Sequence, residues 1–447
     1  MNKAALKTLI ILLPILLFGT IFSLINSIHL MIVFSIVFLF LSRDGKTIVS
    51  VFILCPLLGV IKEVVGGAVP GTVVAFVLIL AIQRNNLFDI IKQINNRVIS
   101  YIIIIVSFLI LFYFFTAETE NSAHKIISIL LNTIVYTIGL LVIAKSSKNT
   151  IQSIAPVFLL YGLILLRLPM DFFGYSTPEG LFDFSFYRES TALNKHAGIP
   201  YLSYHFPGMA AVLSISFWLS TKRDSLKWLD YILLITSAWL ILLSGARQAI
   251  VGFLAVIVCW FSIRSGKLNM KSIVLVSMLL PVIIMLLQLI DAPQIQVLFE
   301  DQGSSDKNLN RNYDYPIMII NNNLFTGIGF GNYYNSFADE VYPHNIVLEI
   351  LCEMGILGLF FFLFVTIFFT QGTKFSITKT LNNECWCMLL WLPYFIRSMI
   401  SSDLSENIIV FLSYAVYFFS TNNSNNKEKR TIIEEQHDKG IELLQSC

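Results

Sequence analysis

The sequence predicts an all-α integral membrane protein, and three observations carry that prediction. Hydrophobic residues make up 56% of the chain against 13% charged, with a mean hydropathy of +0.75, which excludes a soluble globular protein. Apolar runs long enough to cross a bilayer recur along most of the chain. Basic residues fall in alternate connections between those runs, as the positive-inside rule requires.

The elements follow in order. The first apolar run starts after Lys3 and Lys7. It lacks a small-residue exit site and is followed within a few residues by another run, so it reads as a retained span rather than a cleaved signal peptide. Spans are expected over 6–26, 28–42, 47–62, 64–82, 99–115, 126–144, 151–167, 206–220, 229–243, 248–264, 272–290, 345–369, 385–400 and 406–420. Several are short for a full crossing, so the expectation is about 12 to 14 transmembrane helices in one polytopic domain, 1–420. The pair over 47–82 contains Gly66-Gly67 and Pro70-Gly71, which favour irregular backbone. Between Arg84 and Val98, the apolar side chains Leu87, Ile90, Ile91, Ile94 and Val98 share one helical face, the pattern of an interfacial helix. The Asn- and charge-rich tail, 421–447, is expected to be cytoplasmic and partly disordered.

With the N-terminus placed inside, the inner connections carry Arg43, Lys46, Arg84, Lys92, Arg97, Lys145, Lys148, Lys222, Arg223, Lys227, Arg264, Lys267, Lys271, Lys374 and Lys379. Both termini then come out cytoplasmic. Two large loops, 168–205 and 291–343, face out. The cysteines Cys55, Cys259, Cys352, Cys385, Cys387 and Cys447 form neither a disulfide framework nor a zinc pattern, and Cys385-Trp386-Cys387 has the wrong spacing for a redox pair.

The outer side carries polar groups that the charge rule disfavours there. Arg188 and His205 belong to the first loop, Arg311 to the second, His344 to the mouth of the span that follows it, and Arg247 to the short outer turn Ser244-Gly245-Ala246-Arg247. Outer arginines suit an anionic partner, because a guanidinium grips phosphate oxygens with two parallel hydrogen bonds. A histidine beside them can accept a proton near neutral pH. Each residue also has a plainer reading. An outer arginine pairs with lipid headgroups or with a loop carboxylate such as Glu189. His344 is a solvated helix N-terminal residue with Asn345 or its neighbour as cap. Glu349 and Glu353, one helical turn apart, orient His344 or an arginine, or else face water or pair with a loop cation. Gly355 and Gly358 permit close helix packing. The Gly327-Ile328-Gly329-Phe330-Gly331 stretch has no βαβ unit around it and so makes a tight turn rather than a dinucleotide site.

These residues resemble those of the bacterial O-antigen ligase and O-antigen polymerase superfamily. The similarity lies in His344-Asn345 followed by Gly355-Ile356-Leu357-Gly358, in Arg311-Asn312-Tyr313 with the segment from Asn323 to Tyr333, and in Ser244-Gly245-Ala246-Arg247. It covers residues 244–369; the first half agrees only in being polytopic. Tyr204-His205-Phe206-Pro207-Gly208 departs from the family's Asn-Pro-Asn-like stretch.

The resemblance implies a GT-C-like membrane glycosyltransferase of the bacterial inner membrane with an extracytoplasmic site. It implies a metal-independent, inverting transfer of an undecaprenyl-diphosphate-linked glycan to an acceptor hydroxyl, without cofactor. His344 is then the catalytic base, and Arg247, Arg311 and Arg188 bind the diphosphate. Asn345, Glu353 and His205 support them. The partners it implies are the lipid-linked oligosaccharide, membrane lipids and a chain-length-regulating co-polymerase, with no nucleic acid. The composition leans toward a surface-polysaccharide polymerase, whose acceptor is another lipid-linked repeat; a ligase would use lipid A core. A lipid-linked oligosaccharide flippase is the reading from another class. It calls for ionisable groups near mid-membrane in matching halves, a pattern this sequence lacks.

Overall fold

The computed structural model of the chain describes residues 3–41, 96–116, 120–144, 148–173, 205–221, 226–244, 246–265, 314–333, 343, 345–370, 385–400 and 404–420. Among these residues there are twelve helices and no strand. They are α1 (Lys3–Ile21), α2 (Ser27–Leu41), α3 (Asn96–Thr116), α4 (Glu120–Ala144), α5 (Lys148–Phe173) and α6 (His205–Ser220). The series continues with α7 (Trp228–Ser244), α8 (Arg247–Ser265), α9 (Asp314–Asn322), α10 (Ile346–Thr370), α11 (Cys385–Ile400) and α12 (Leu404–Ser420). Five of them, α1, α3, α4, α5 and α10, are long and apolar enough to cross a membrane. The protein is an all-α integral membrane protein.

Helix is the outcome for these β-branched, aromatic-rich runs because a bilayer offers no water to hydrogen-bond an open backbone. Every long apolar run among the described residues is therefore a helix, at the expected place. The spans expected over 47–62, 64–82 and 272–290, residues 84–95 of the interfacial helix and the tail lie outside the described residues. One helix was not foreseen. Asp314–Asn322 is too short to cross a bilayer and sits within the second outer loop.

Helix α5 is the centre, buried on nearly all sides against α1, α2, α6 and α7. Helix α6 packs in turn on α7, α8 and α11. A second group, α3, α4, α10 and α12, is zipped by aromatics: Phe108 stacks on Phe361 with ring centroids 3.7 Å apart, and Phe362 lies 4.8 Å from Phe411. The Tyr101 hydroxyl shares a 3.3 Å hydrogen bond with Thr366 Oγ1 in the same seam.

Polar staples fix the ends. Arg167 Nε donates to Asp171 Oδ1 at 2.9 Å, and Arg167 Nη1 donates to Ser23 Oγ at 3.2 Å, tying the end of α5 to the turn between α1 and α2. At the opposite end of the bundle, buried Asp230 accepts from Trp218 Nε1 at 2.7 Å and from the Lys227 amide at 2.7 Å. The end of α5 and the α1–α2 turn, joined here, are two connections that the charge alternation assigns to a common side.

Candidate active site

The second of the two helix groups supplies a helix with a break in it. Helix α10 is interrupted at Gly355, whose φ of 63° and ψ of −163° lie outside helical space. A break in an apolar helix strands the carbonyls before it and the amides after it. The segment after α9 satisfies them. Ile328 N donates to Cys352 O at 2.8 Å and Gly329 N to Glu353 O at 3.0 Å. In return Ile356 N donates to Leu324 O at 2.8 Å and Leu357 N to Phe325 O at 3.2 Å. The strands of contact run this close only because glycine stands at both sides. A Cβ on Gly327 would meet Glu353 C at 2.4 Å, and one on Gly355 would meet Phe325 O at 2.3 Å.

The Gly-x-Gly-x-Gly stretch thus makes its expected turn, with φ of 68°, 99° and 72° at Gly327, Gly329 and Gly331. It also docks. Phe330 N donates to Thr116 Oγ1 at 3.1 Å, while Asn332 Nδ2 donates to Thr116 O at 3.2 Å and to Ile328 O at 2.9 Å. Ser122 Oγ donates to Asn332 Oδ1 at 3.3 Å. Gly355 therefore differs from the packing role expected of it, since the backbone needs it for a change of direction.

The start of α10 is set by Asn345. Its Oδ1 accepts from Val347 N at 2.9 Å and Leu348 N at 3.2 Å, the pattern of an N-cap. Its Nδ2 donates to Met399 O at 3.1 Å, at the end of α11. Both ends of the carboxamide are engaged in placing the residue that follows His344.

Glu349 and Glu353 converge on a cation from another helix. Lys125 Nζ of α4 donates to Glu349 Oε1 at 2.5 Å and to both oxygens of Glu353 at 2.7 Å. Glu349 Oε1 also accepts from Leu404 N at 2.9 Å, so the cluster ties α4, α10 and α12 together. Glu349 is 0% and Glu353 2% exposed. The Lys125 ammonium lies 5.5 Å from the Phe330 ring centroid as well. The two carboxylates therefore do not face water, and the cation they pair with comes from helix α4 rather than from a loop.

A chain of contacts at this end of the bundle joins the elements that carry the expected site. Asn345 reaches Met399 on α11; Arg397 of α11 lies 5.7 Å from the ring centroid of Phe206 at the start of α6. Gly208 of α6 lies so close to the turn into α8 that a Cβ there would meet Ser244 Oγ at 2.6 Å and Ala246 Cβ at 3.0 Å. His205 opens α6 and Arg247 opens α8. Their backbone positions therefore fall on the same end as Asn345, while their side chains lie outside the described residues. His344, Arg311 and Arg188 lie outside them too. Beside Arg247, the Gln248 side chain is 3% exposed, and neither its Oε1 nor its Nε2 has a hydrogen-bond partner among the described residues. Lys125, Arg397 and Gln248 were missed in the sequence. For the two cations the signal was present, since both sit on the side that the charge rule keeps poor in basic residues.

An O-antigen ligase family model matches residues 232–363, from within α7 to within α10. Over that stretch the chain is similar to the O-antigen ligase family. No curated protein matches it. The matched stretch contains Arg247, Arg311, the docked glycine turn, His344, Asn345 and Gly355. Arg188, His205, Lys125 and Arg397 lie outside it. The match implies a glycosyltransferase-like enzyme and suggests lipid-linked oligosaccharide substrates.

Proposed function

We propose that the protein is a surface-polysaccharide polymerase that transfers an undecaprenyl-diphosphate-linked glycan to a hydroxyl of another lipid-linked repeat. The observation that carries this reading is the chain of contacts α10–α11–α6–α8. It brings the backbone of Asn345, next to His344, to the same end as the starts of α6 and α8, where His205 and Arg247 stand. In this reading His344 takes the proton of the acceptor hydroxyl as its oxygen attacks the anomeric carbon. The bond from that carbon to the diphosphate oxygen breaks on the opposite face, inverting the centre. The leaving diphosphate gains negative charge, and Arg247 and Arg311, with Arg188, stabilise it; preorganised cations in a partly dry site are effective at that task. The reaction needs no metal in this scheme. Asn345 positions the base through the cap it makes at the helix start, and Glu353 supports it only indirectly, by anchoring α10 to Lys125. The site faces the extracytoplasmic side of the inner membrane, with both termini in the cytoplasm.

The family description favours one further reading, a ligase whose acceptor is a lipid A core sugar. Purified protein supplied with an undecaprenyl-diphosphate oligosaccharide tests both. Loss of a general base lowers turnover by about 10²–10⁴-fold, the drop expected for His344→Ala. Arg247→Ala is expected to lose transfer as well. Wild-type rates in both folded variants refute the site. Chain extension with a second lipid-linked repeat, against transfer to a core oligosaccharide acceptor, separates polymerase from ligase. Retained activity in a chelator supports the metal-free step.

A further inference from the structure

The two halves of α10 have different surroundings. From Ile346 to Gly355 no residue is exposed, whereas from Ile356 onward Ile356, Leu357, Phe360, Leu363 and Phe364 form an outward apolar stripe. The first half is covered by the segment that begins at α9: Ile319 and Tyr333 pack on Cys352, and Cys352 Sγ donates to Pro316 O at 3.5 Å. That segment carries its own outward apolar surface. Ile317, Met318 and Leu324 are exposed, and Phe325 is 73% exposed. The surface continues the α10 stripe, because Leu357 N is bonded to the carbonyl of Phe325 itself.

We propose that residues 315–325, which belong to an outer aqueous loop by sequence position, are seated in the interface of the bilayer. The partner is the phospholipid boundary between headgroups and acyl chains. No residue from Tyr315 to Phe325 is charged, so apolar area rather than attraction to anionic lipid drives the contact. The exposed carboxamides of Asn321, Asn322 and Asn323 lie between the two apolar groups and suit the headgroup layer, where amides remain hydrogen-bonded. A water-facing loop of the same length would leave four large apolar side chains in one solvated patch, an arrangement that marks an interaction surface. The break at Gly355 and the Lys125–Glu349–Glu353 cluster beside it then sit at the level of the lipid, covered by protein rather than open to water. The mouth of α10 becomes a cup sunk into the membrane, within lateral reach of a membrane-anchored substrate.

The experiment uses the full chain in phosphatidylcholine nanodiscs. A polarity-sensitive fluorescent amino acid replaces Phe325, Met318, Asn322 or, as a reference on the α10 stripe, Leu363. The hydrogen bond at Phe325 is made by its backbone, so exchanging the ring leaves the docking intact. Quenching by acyl-brominated phosphatidylcholine is compared with quenching by aqueous iodide. The probes at Phe325 and Met318 are expected to follow Leu363, losing several-fold more signal to brominated lipid than to iodide, while iodide reaches the probe at Asn322. Iodide quenching at Phe325 or Met318 equal to that at Asn322 overturns the proposal. The readout involves no turnover, so it stands or falls separately from the transferase reading.

Discussion

Replacing Lys125 by methionine keeps the stem of the side chain and removes the charge that two buried carboxylates share. At 2.7 Å and an effective dielectric constant near 20, each lysine–glutamate contact is a gross attraction of roughly 6 kcal/mol before desolvation is counted. Most of that offsets the removal of the ions from water. What remains when one partner of a buried pair is deleted is a loss of about 3–5 kcal/mol, because the other charge is left buried and uncompensated. Here two such charges remain, on Glu349 and Glu353, so the upper part of that range applies. For a chain of this size the loss lowers the melting temperature by roughly 5 °C or more, scaling down from smaller domains. The assay is the fraction of monodisperse protein left after heating in detergent with fixed added lipid, for wild type, Lys125→Met, and Lys125→Met combined with Glu349→Gln and Glu353→Gln. The triple variant removes both stranded charges and keeps an acceptor for the Leu404 amide, so it is expected to recover most of the loss. If the single variant melts within about 1 °C of wild type, or the triple variant is no better than the single, the cluster is not held by charge and the argument fails.

Three further outcomes are expected. Gly355→Ala forces a side chain into left-handed backbone and against Phe325 O, so monodisperse protein is lost on mild heating, whereas Gly252→Ala meets only Val212 at 3.4 Å and leaves stability unchanged or raised. Asn345→Asp keeps the cap but not the donation to Met399 O, while Asn345→Ala loses both. The alanine variant is the less stable by about 1 kcal/mol in thermal unfolding, and both slow transfer through a displaced His344. Gln248→Met removes two buried polar atoms without partners among the described residues, each a burden of about 1–3 kcal/mol, and is expected to raise the melting temperature.

The helices were legible because a bilayer converts an apolar run into a helix with few alternatives. The span expected over 385–400 coincides with α11, and that over 206–220 begins one residue after α6 does. The break in α10 was not legible. Gly355 stands in an apolar run that reads as continuous helix, and the segment that satisfies its backbone is contributed from Leu324 to Gly329, within the connection that precedes α10. Lys125 escaped notice for a similar reason. A lysine at the mouth of a span reads as a side chain reaching for the interface. Its partners are distant in sequence, and pairing of that kind leaves no local pattern. For Asn345 the plain reading, a helix cap, is the one the hydrogen bonds show. The stretch 315–325 is too short to cross a bilayer, and length alone does not reveal a segment that only enters the interface.

The broken helix also bears on how the protein is made. A nascent α10 entering the lipid by itself would bring the carbonyls of Cys352 and Glu353 and the amides of Ile356 and Leu357 without partners, each several kcal/mol unfavourable in hydrocarbon. Ribosomal synthesis runs from the N-terminus, so Thr116 and Ser122 emerge first, then the turn from Leu324 to Asn332 that docks on them, and α10 last. The receiving surface is complete before the helix that requires it arrives. Helix α10 is in this sense a templated span, inserted against a platform already assembled, and its order of appearance in the chain is part of what allows it to be discontinuous.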